Sequence, residues 1–155
     1  MPNMLHPATV VVTFFGIGRL PVAPGTYGSL AAIPISWLLG TYYGTVSLLL
    51  VAAFLTILGF FATKQYVLRK RETDPSEIVI DEVIGQILTL CFVPITLPNL
   101  ILGFVIFRFF DIAKPWPISY FDREIKGAVG ILLDDIIAAI MAGSLMFCLH
   151  HVMIF

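Results

Sequence analysis

Charged residues are scarce in this chain. Lys, Arg, Asp and Glu make up only 12% of its 155 residues, whereas hydrophobic residues make up 59% and the mean hydropathy is +0.97. Because a soluble domain carries about 25% charged residues, this composition predicts a single membrane-embedded domain over residues 1–155. The formal net charge of −1 provides no excess of cations to attract nucleic acid. We therefore expect the bilayer, and no nucleic acid, among its partners.

Cysteine and histidine are scarce as well. Cys91 and Cys148 both lie in apolar stretches, far from CxxC spacing, so neither a disulfide framework nor a cysteine metal site is expected. His6, His150 and His151 lie near the termini and lack the spacing of metal ligands. We assign none of these three histidines a role.

Long apolar runs predict an all-α, small multi-pass membrane helical bundle. Five runs are candidate membrane segments, at about 28–40, 45–62, 83–97, 99–110 and 128–149. A helix needs about 20 residues to cross a bilayer core of about 30 Å, so the shorter segments must tilt or include flanking polar residues. A further run at 8–18 is too short to span and predicts an interfacial or re-entrant segment.

Basic residues are concentrated in two loops, and they predict the topology. One group follows the second segment and the other surrounds the end of the fourth: Lys64, Arg69, Lys70 and Arg71, then Arg108, Lys114, Arg123 and Lys126. The positive-inside rule places both groups in the cytoplasm, together with the N-terminal loop that carries Arg19. Residues 40–44 and 150–155 are then expected on the outer side.

The acidic residues of the apolar segments are the strongest indication of a functional site. Asp134 and Asp135 are adjacent within an otherwise apolar segment, where an ionised side chain costs roughly 2.5–3.5 kcal/mol. Asp81 and Glu82 lie at the mouth of the third segment and Asp111 lies at the end of the fourth, so all three groups lie on the predicted cytoplasmic side. Carboxylates near cations at such a surface favour a Mg²⁺ site whose coordination is completed by phosphate.

The cations near Asp111 and the acidic pairs themselves each have a structural interpretation beside the functional one. Arg108 and Lys114 are each three residues from Asp111, so they share its helical face if the helix persists to Pro115. They are candidate phosphate-binding residues, although snorkelling from a helix end is the structural alternative. For Asp134 and Asp135 the structural alternative is a salt bridge to a neighbouring helix. For Asp81 and Glu82 it is a favourable position at a helix N-terminus.

The segment from Pro24 to Leu30 has two glycines around a hydroxyl residue, just before an apolar run. Ser29 is a candidate N-cap of the following helix. Backbone amides and hydroxyls near Thr26 and Ser29 are candidate phosphate-binding groups. The spacing is not that of the phosphate-binding loop of nucleotide hydrolases, so a simple Gly/Pro turn before a capped helix is the alternative.

Four motifs resemble the phosphatidylglycerophosphatase A family of small multi-pass membrane phosphatases. They are FGIGRLPVAPGTYGSLAAIP at 15–34, IDEVIG at 80–85, GFVIFRFFDIAKPWPISYFDR at 103–123 and GILLDDIIAA at 130–139. The resemblance implies a Mg²⁺-dependent phosphatase that converts phosphatidylglycerophosphate to phosphatidylglycerol and inorganic phosphate. It also implies a location in the bacterial inner membrane, with the active site on the cytoplasmic side.

The resemblance implies roles for individual residues, which we carry over by position. Mg²⁺ would be held by Asp81, Glu82, Asp134 and Asp135. Asp111 would be a further ligand or the general base, so the catalytic candidates are Asp111, Asp134 and Asp135. The substrate would be bound by the candidates Thr26, Ser29, Arg108, Lys114 and Arg123. A route through an aspartyl-phosphate stays open, because an Asp beside a metal ion can also be the nucleophile.

Other phosphatase chemistries lack their motifs in this sequence. Neither cysteine is followed by Arg six residues later, no DxDxT stretch occurs, and the three histidines are terminal. The DGxxAR core of the CDP-alcohol transferases is also absent. The alternative from a different class is a small ion carrier or channel subunit that uses the buried carboxylates as a cation path. Its weakness is that acids and bases cluster on one side only.

Overall fold

The computed structural model describes residues 6–153, and all the regular secondary structure in this range is helical. Its α-helices are α1 Pro7–Val12, α2 Pro24–Tyr43, α3 Thr45–Lys70, α4 Ile80–Leu90, α5 Leu97–Ala113, α6 Ile118–Glu124 and α7 Gly127–Met153. A 3-10 turn at Ile17–Arg19 links α1 to α2. The all-α prediction is confirmed.

Two helices within the described range are long and apolar enough to cross a membrane. These are α3 and the α7 residues Gly127–Val152, each 26 residues long, with hydropathies of 2.4 and 2.0. The prediction of about five membrane segments is therefore not confirmed. The largest departure is α4, whose 11 residues provide about half the length that a bilayer requires.

Proline accounts for two boundaries that the apolar runs placed wrongly. The third segment was expected to continue to residue 97, but α4 ends at Leu90. Val93 precedes Pro94, and a residue in that position is disfavoured in helical conformation. The first segment was expected to begin near residue 28, but α2 begins at Pro24, which occupies the first helical turn. Proline is well suited to that position because its missing N–H has no helical acceptor to lose.

Helix α4 is the central element of the bundle. Eight of its eleven residues are buried, and it packs against α2, α3, α5 and α7. Ile80 and Ile84 of α4 contact Tyr66 of α3 in one core cluster, and Val83 and Ile87 pack with Ala32 of α2 in another. The first turn of α4 is consequently held between four other helices.

The N-terminal segment is tied to the beginning of α4. Helix α1 has only six residues, too few to span a bilayer, in agreement with the sequence. The backbone N–H of Val79 donates to the carbonyl oxygen of Val12 at 2.9 Å.

Residues 150–155 were predicted to lie on the outer side of the membrane. The last two residues of this segment lie outside the described range.

Charged residues gather at one end of the bundle. The N-terminal ends of α2, α4 and α7 meet the C-terminal ends of α3 and α5 around two adjoining cavities. This convergence brings residues from across the whole sequence into one place.

Candidate active site

An acidic pocket with a volume of about 350 Å³ occupies the charged end of the bundle. Most of the residues singled out by the sequence line it: Asp81, Glu82, Arg108, Asp111, Lys114, Asp134 and Asp135. Asp122, from the quoted family motif, lines it as well. We use the name acidic pocket for the cavity bounded by these eight residues.

Three of the carboxylates form a compact group. One oxygen each from Asp81, Glu82 and Asp135 lie within 4.8 Å of one another. Asp81 and Glu82 come from the first turn of α4, and Asp135 comes from the third turn of α7. We call these three residues the carboxylate cluster. Among the described residues, they are the one set of acidic, His or Cys side chains close enough together to hold a metal ion.

The carboxylate cluster has unsatisfied hydrogen-bonding capacity. Asp81 Oδ1, Glu82 Oε2 and Asp135 Oδ2 are buried and have no hydrogen-bond partner among the described residues. Buried anionic oxygens without partners are costly, and three like charges in close proximity repel each other. A divalent cation would supply both the missing partner and the missing positive charge, so these residues fit a hard metal ion with oxygen ligands.

Asp134 has a different partner from its neighbour Asp135. Consecutive helical residues are rotated by about 100° around the axis, so the two carboxylates point in different directions. Asp134 accepts a hydrogen bond from Lys114 Nζ at 2.6 Å. It is therefore outside the carboxylate cluster, and its geometry matches the interhelical salt bridge that the sequence left open.

Lys114 connects three elements of the site. It follows the last residue of α5 in a left-handed conformation, with φ 43°, and its ammonium group also donates to Asp122 of α6 at 2.6 Å. Burial alone would lower the pKa of Lys114, but the hydrogen bonds to Asp122 and Asp134 outweigh it and raise the pKa. The same bond to Lys114 lowers the pKa of Asp122. Lys114 is thus a firmly charged cation.

Arg108 supplies the second positive charge. Its guanidinium donates to Asp111 one turn further along α5, as the spacing of three residues predicted. Arg108 Nη1 is also 3.9 Å from Glu82 Oε1. The arginine therefore lies between Asp111 and the carboxylate cluster.

Comparisons with known proteins bear on the chemistry of this pocket. A family profile described as phosphatidylglycerophosphatase A matches residues 10–150. The phosphatidylglycerophosphatase A of Escherichia coli K12 is 41% identical over 151 residues, which cover 96% of this chain and 87% of that protein. The chain belongs to the phosphatidylglycerophosphatase A family. The resemblance found in the sequence is confirmed, and the protein is a phosphatase enzyme.

Two further relatives were found. The phosphatidylglycerophosphatase A of Haemophilus influenzae is 33% identical over 153 residues, covering 98% of this chain and 94% of that protein. A protein of Bacteroides thetaiotaomicron, provisionally named as a phosphatidylinositol-3-phosphatase, is 36% identical over 141 residues, covering 84% of this chain and 86% of that protein. No solved structure gave a significant match.

The prediction that Ser29 caps the first membrane segment is wrong for this family member. Helix α2 begins five residues earlier, and Ser29 is fully buried inside it, where its hydroxyl donates to the carbonyl oxygen of Gly25 at 3.1 Å. Neither Ser29 nor Thr26 lines the acidic pocket. The part of this segment that reaches the pocket is its beginning, Pro24 and Gly25, together with the preceding Ala23.

Gly25 lies directly against the site. A Cβ atom added to it would be 2.0 Å from Glu82 Oε1 and 3.3 Å from Arg108 Nη1. Only glycine allows α2 to approach the carboxylate cluster so closely. The sequence left phosphate binding and a simple Gly/Pro turn open for this motif. It did not indicate the packing role of Gly25, because the contact joins residues far apart in the chain.

Arg123 also lies outside the acidic pocket. It is exposed on the short helix α6, and the preceding residue, Asp122, points toward Lys114. Because adjacent helical side chains diverge by about 100°, Arg123 points elsewhere. Asp122 is the residue of that motif that enters the site, through its contact with Lys114. The sequence did not indicate this contact.

The loop between α3 and α4 holds site residues that the sequence did not reveal. Asp74 and Ser76 line the acidic pocket. Glu77 accepts hydrogen bonds from the Tyr66 hydroxyl and, at 2.9 Å, from Lys70 Nζ. Burial alone would raise the pKa of Glu77, but these two donors lower it below the usual value. The loop has no periodic pattern that could have indicated these contacts.

The arrangement does not favour the ion-path alternative. The acidic residues that the sequence placed within membrane segments gather in a single pocket at one end of the described bundle. A path across a bilayer requires polar groups along its length and at both ends.

Proposed function

We propose that this protein hydrolyses phosphatidylglycerophosphate to phosphatidylglycerol and inorganic phosphate, using Mg²⁺ bound at the carboxylate cluster. The observation that carries the proposal is the group of three buried, unpartnered carboxylate oxygens next to Arg108 and Lys114. The names of the E. coli and H. influenzae relatives support the substrate. The name of the Bacteroides relative also describes removal of phosphate from a phospholipid headgroup, but a different headgroup.

Asp81, Glu82 and Asp135 would hold the metal ion. Carboxylate oxygens are hard ligands suited to Mg²⁺, which usually keeps several waters and binds substrate phosphate directly. When bound, Mg²⁺ polarises a phosphoryl oxygen and lowers the pKa of its water. Asp134 is then a positioning residue, because its carboxylate is occupied by Lys114.

The two cations and Asp111 would act on the phosphoryl group and the water. Arg108 and Lys114 provide positive charge for the phosphoryl oxygens, where negative charge must be stabilised in the transition state. Asp111 lies close enough to Glu82 and Asp135 for its charge to act on both. From this position it would accept the proton of the attacking water, while Arg108 holds its carboxylate in place.

We further propose a multi-pass protein of the bacterial inner membrane, with the acidic pocket on the cytoplasmic side. Helices other than α3 and α7 also expose large apolar side chains. Trp37 and Leu38 of α2, and Val105 and Phe109 of α5, are between 49% and 63% exposed. Such surfaces suit a lipid environment, and the basic residues near the pocket favour the cytoplasmic side.

The test is phosphate release from phosphatidylglycerophosphate in mixed micelles by the detergent-purified protein. We expect release with Mg²⁺, loss of release with EDTA, and recovery when Mg²⁺ is restored. Activity that is unaffected by EDTA would contradict the metal assignment. A folded protein that releases no phosphate from this lipid with any divalent metal would contradict the substrate assignment.

A further inference from the structure

A second cavity adjoins the acidic pocket and has the opposite charge. Its volume is about 1000 Å³, and its charged lining residues are Arg19, Arg69, Lys70 and Glu77. We call this cavity the basic cavity. Three cations thus face one carboxylate, whereas carboxylates outnumber cations in the acidic pocket.

The single carboxylate of the basic cavity is already neutralised within the protein. Glu77 accepts hydrogen bonds from Tyr66 and from Lys70, and Lys70 is also 3.1 Å from Glu72. Arg69 is exposed and forms no ion pair among the described residues. With three cations and one carboxylate in its lining, the cavity has a net positive charge, and Arg69 is the exposed cation among them.

The two cavities share a wall. Pro24, the first residue of α2, and Ser76 line both of them. The N-terminal end of a helix carries partial positive charge, so the wall itself favours anions on either side. The shared wall places the two cavities side by side, as the binding of one ligand with two linked anionic groups requires.

The rim of the basic cavity is apolar. Leu20 and Pro21 line it, and Leu20 is 41% exposed. An anionic group bound there would lie next to surface suited to lipid chains.

We infer that the basic cavity binds the phosphodiester of the lipid substrate, with Arg19 and Arg69 as specificity-determining residues. This inference rests on the proposed function. Phosphatidylglycerophosphate carries a terminal phosphomonoester, which is removed, and a phosphodiester joined to the diacylglycerol. The monoester occupies the acidic pocket, and the diester occupies the basic cavity beside the acyl chains. A lipid whose only phosphate is the monoester lacks this second contact.

The experiment compares two product inhibitors that report on the two cavities separately. Phosphatidylglycerol retains the phosphodiester and the acyl chains, whereas inorganic phosphate resembles only the group that is removed. Hydrolysis of phosphatidylglycerophosphate is measured in mixed micelles with each inhibitor, for wild type, Arg69→Gln and Arg19→Gln. Lys64→Gln is the matched control, because Lys64 is an exposed cation on the same helix as Arg69 and lies outside both cavities.

We expect Arg69→Gln to raise KM, and to weaken inhibition by phosphatidylglycerol, each by roughly three- to tenfold, the size of one charge-assisted contact at an exposed position. Its kcat, and its inhibition by inorganic phosphate, should change by less than about twofold because the acidic pocket is intact. Arg19→Gln should show the same pattern, and Lys64→Gln should match wild type.

Three results would overturn the inference. If Arg69→Gln binds phosphatidylglycerol as well as wild type does, the basic cavity does not hold the diester. If Lys64→Gln has the same effect as Arg69→Gln, the cations act only through general attraction to an anionic surface. If wild type itself does not hydrolyse phosphatidylglycerophosphate, the proposed function fails and the inference fails with it, whereas the first two results leave the proposed function intact.

Discussion

Asp134 and Asp135 show how one step along a helix changes the role of a residue. Asp134 forms an ion pair with Lys114, whereas Asp135 lies beside Asp81 and Glu82. The sequence predicted that both would matter, because adjacent carboxylates in an apolar segment are costly. It could not separate their roles, since the direction of each side chain depends on the neighbouring helices.

This difference leads to opposite expectations for the two Asp→Asn variants in metal-free protein. Asp135→Asn removes one of three mutually repelling carboxylates, so we expect its melting temperature in EDTA to rise by about 2–4 °C. Asp134→Asn weakens the ion pair with Lys114, so its melting temperature should fall. Phosphate release with Mg²⁺ should be lost in Asp135→Asn. If the two variants shift the melting temperature in the same direction, the assignment of the two side chains is wrong.

Glu77 makes the stability of the protein sensitive to acid. Because its pKa is lowered in the folded protein, its stabilising contribution is complete above the ordinary Glu pKa and is lost as pH falls through the lowered value. We expect the melting temperature of wild type to fall more steeply below about pH 5 than that of Glu77→Gln.

The control for this measurement is Glu72→Gln, which removes a carboxylate bound to the same Lys70 but more exposed, at 54% against 31% for Glu77. The melting temperature of Glu72→Gln should fall with decreasing pH as steeply as that of wild type. If the melting temperatures of wild type and Glu77→Gln fall equally steeply below about pH 5, the role given to Glu77 is contradicted.

At the scale of secondary-structure elements, the close approach of α2 to α4 shapes the site. Gly25→Ala would place a methyl carbon 2.0 Å from Glu82 Oε1, so α2 or Glu82 must shift. We expect a loss of phosphate release of about tenfold or more, since small displacements in an active site are costly. The protein should remain folded, because the contact involves the end of a side chain.

Gly59→Ala is the matched control for that change. Gly59 lies within a helix, and a Cβ there would be 3.3 Å from Cγ1 of Ile80, so a shift of a few tenths of an ångström accommodates it. This variant should keep most of its activity. Comparable losses in both variants would show that any added methyl group in the bundle disturbs the enzyme, and would contradict a specific role for Gly25.

The elements themselves could be predicted only in part from the sequence. Apolar runs located the long helices α3 and α7, because a long apolar segment has few alternatives to a helix. They misjudged α2 and α4, whose bounds depend on Pro24 and Pro94. The packing of Gly25 against Glu82 was not predictable at all, because it joins helices that are far apart in the chain.

At the scale of the whole molecule, the convergence of five helix ends was predictable in outline. Charge placement in the sequence put the acidic groups and most basic residues on one side, and the structure brings them into two adjoining cavities. What the sequence lacked was the division into an acidic and a basic compartment. That division depends on the loop between α3 and α4, which contributes Asp74, Ser76 and Glu77.

The proposed topology can be tested with single-cysteine variants in a background that carries Cys91→Ala and Cys148→Ala. Tyr43, at the end of α2, is 75% exposed, and Ser76 lies at the opposite end, beside the pockets. A membrane-impermeant maleimide should label Tyr43→Cys in intact spheroplasts. It should label Ser76→Cys only after permeabilisation. The reverse pattern would contradict a cytoplasmic active site.

The central claim is that the carboxylate cluster is the catalytic centre of this phosphatase. Its most direct test is phosphate release from phosphatidylglycerophosphate by Asp81→Asn at saturating Mg²⁺, compared with Asp74→Asn. Asp74 also lines the acidic pocket but is exposed and lies outside the carboxylate cluster. We expect Asp81→Asn to lose at least about a hundredfold in kcat, and Asp74→Asn to stay within about threefold of wild type. A folded Asp81→Asn variant with wild-type activity would contradict the claim.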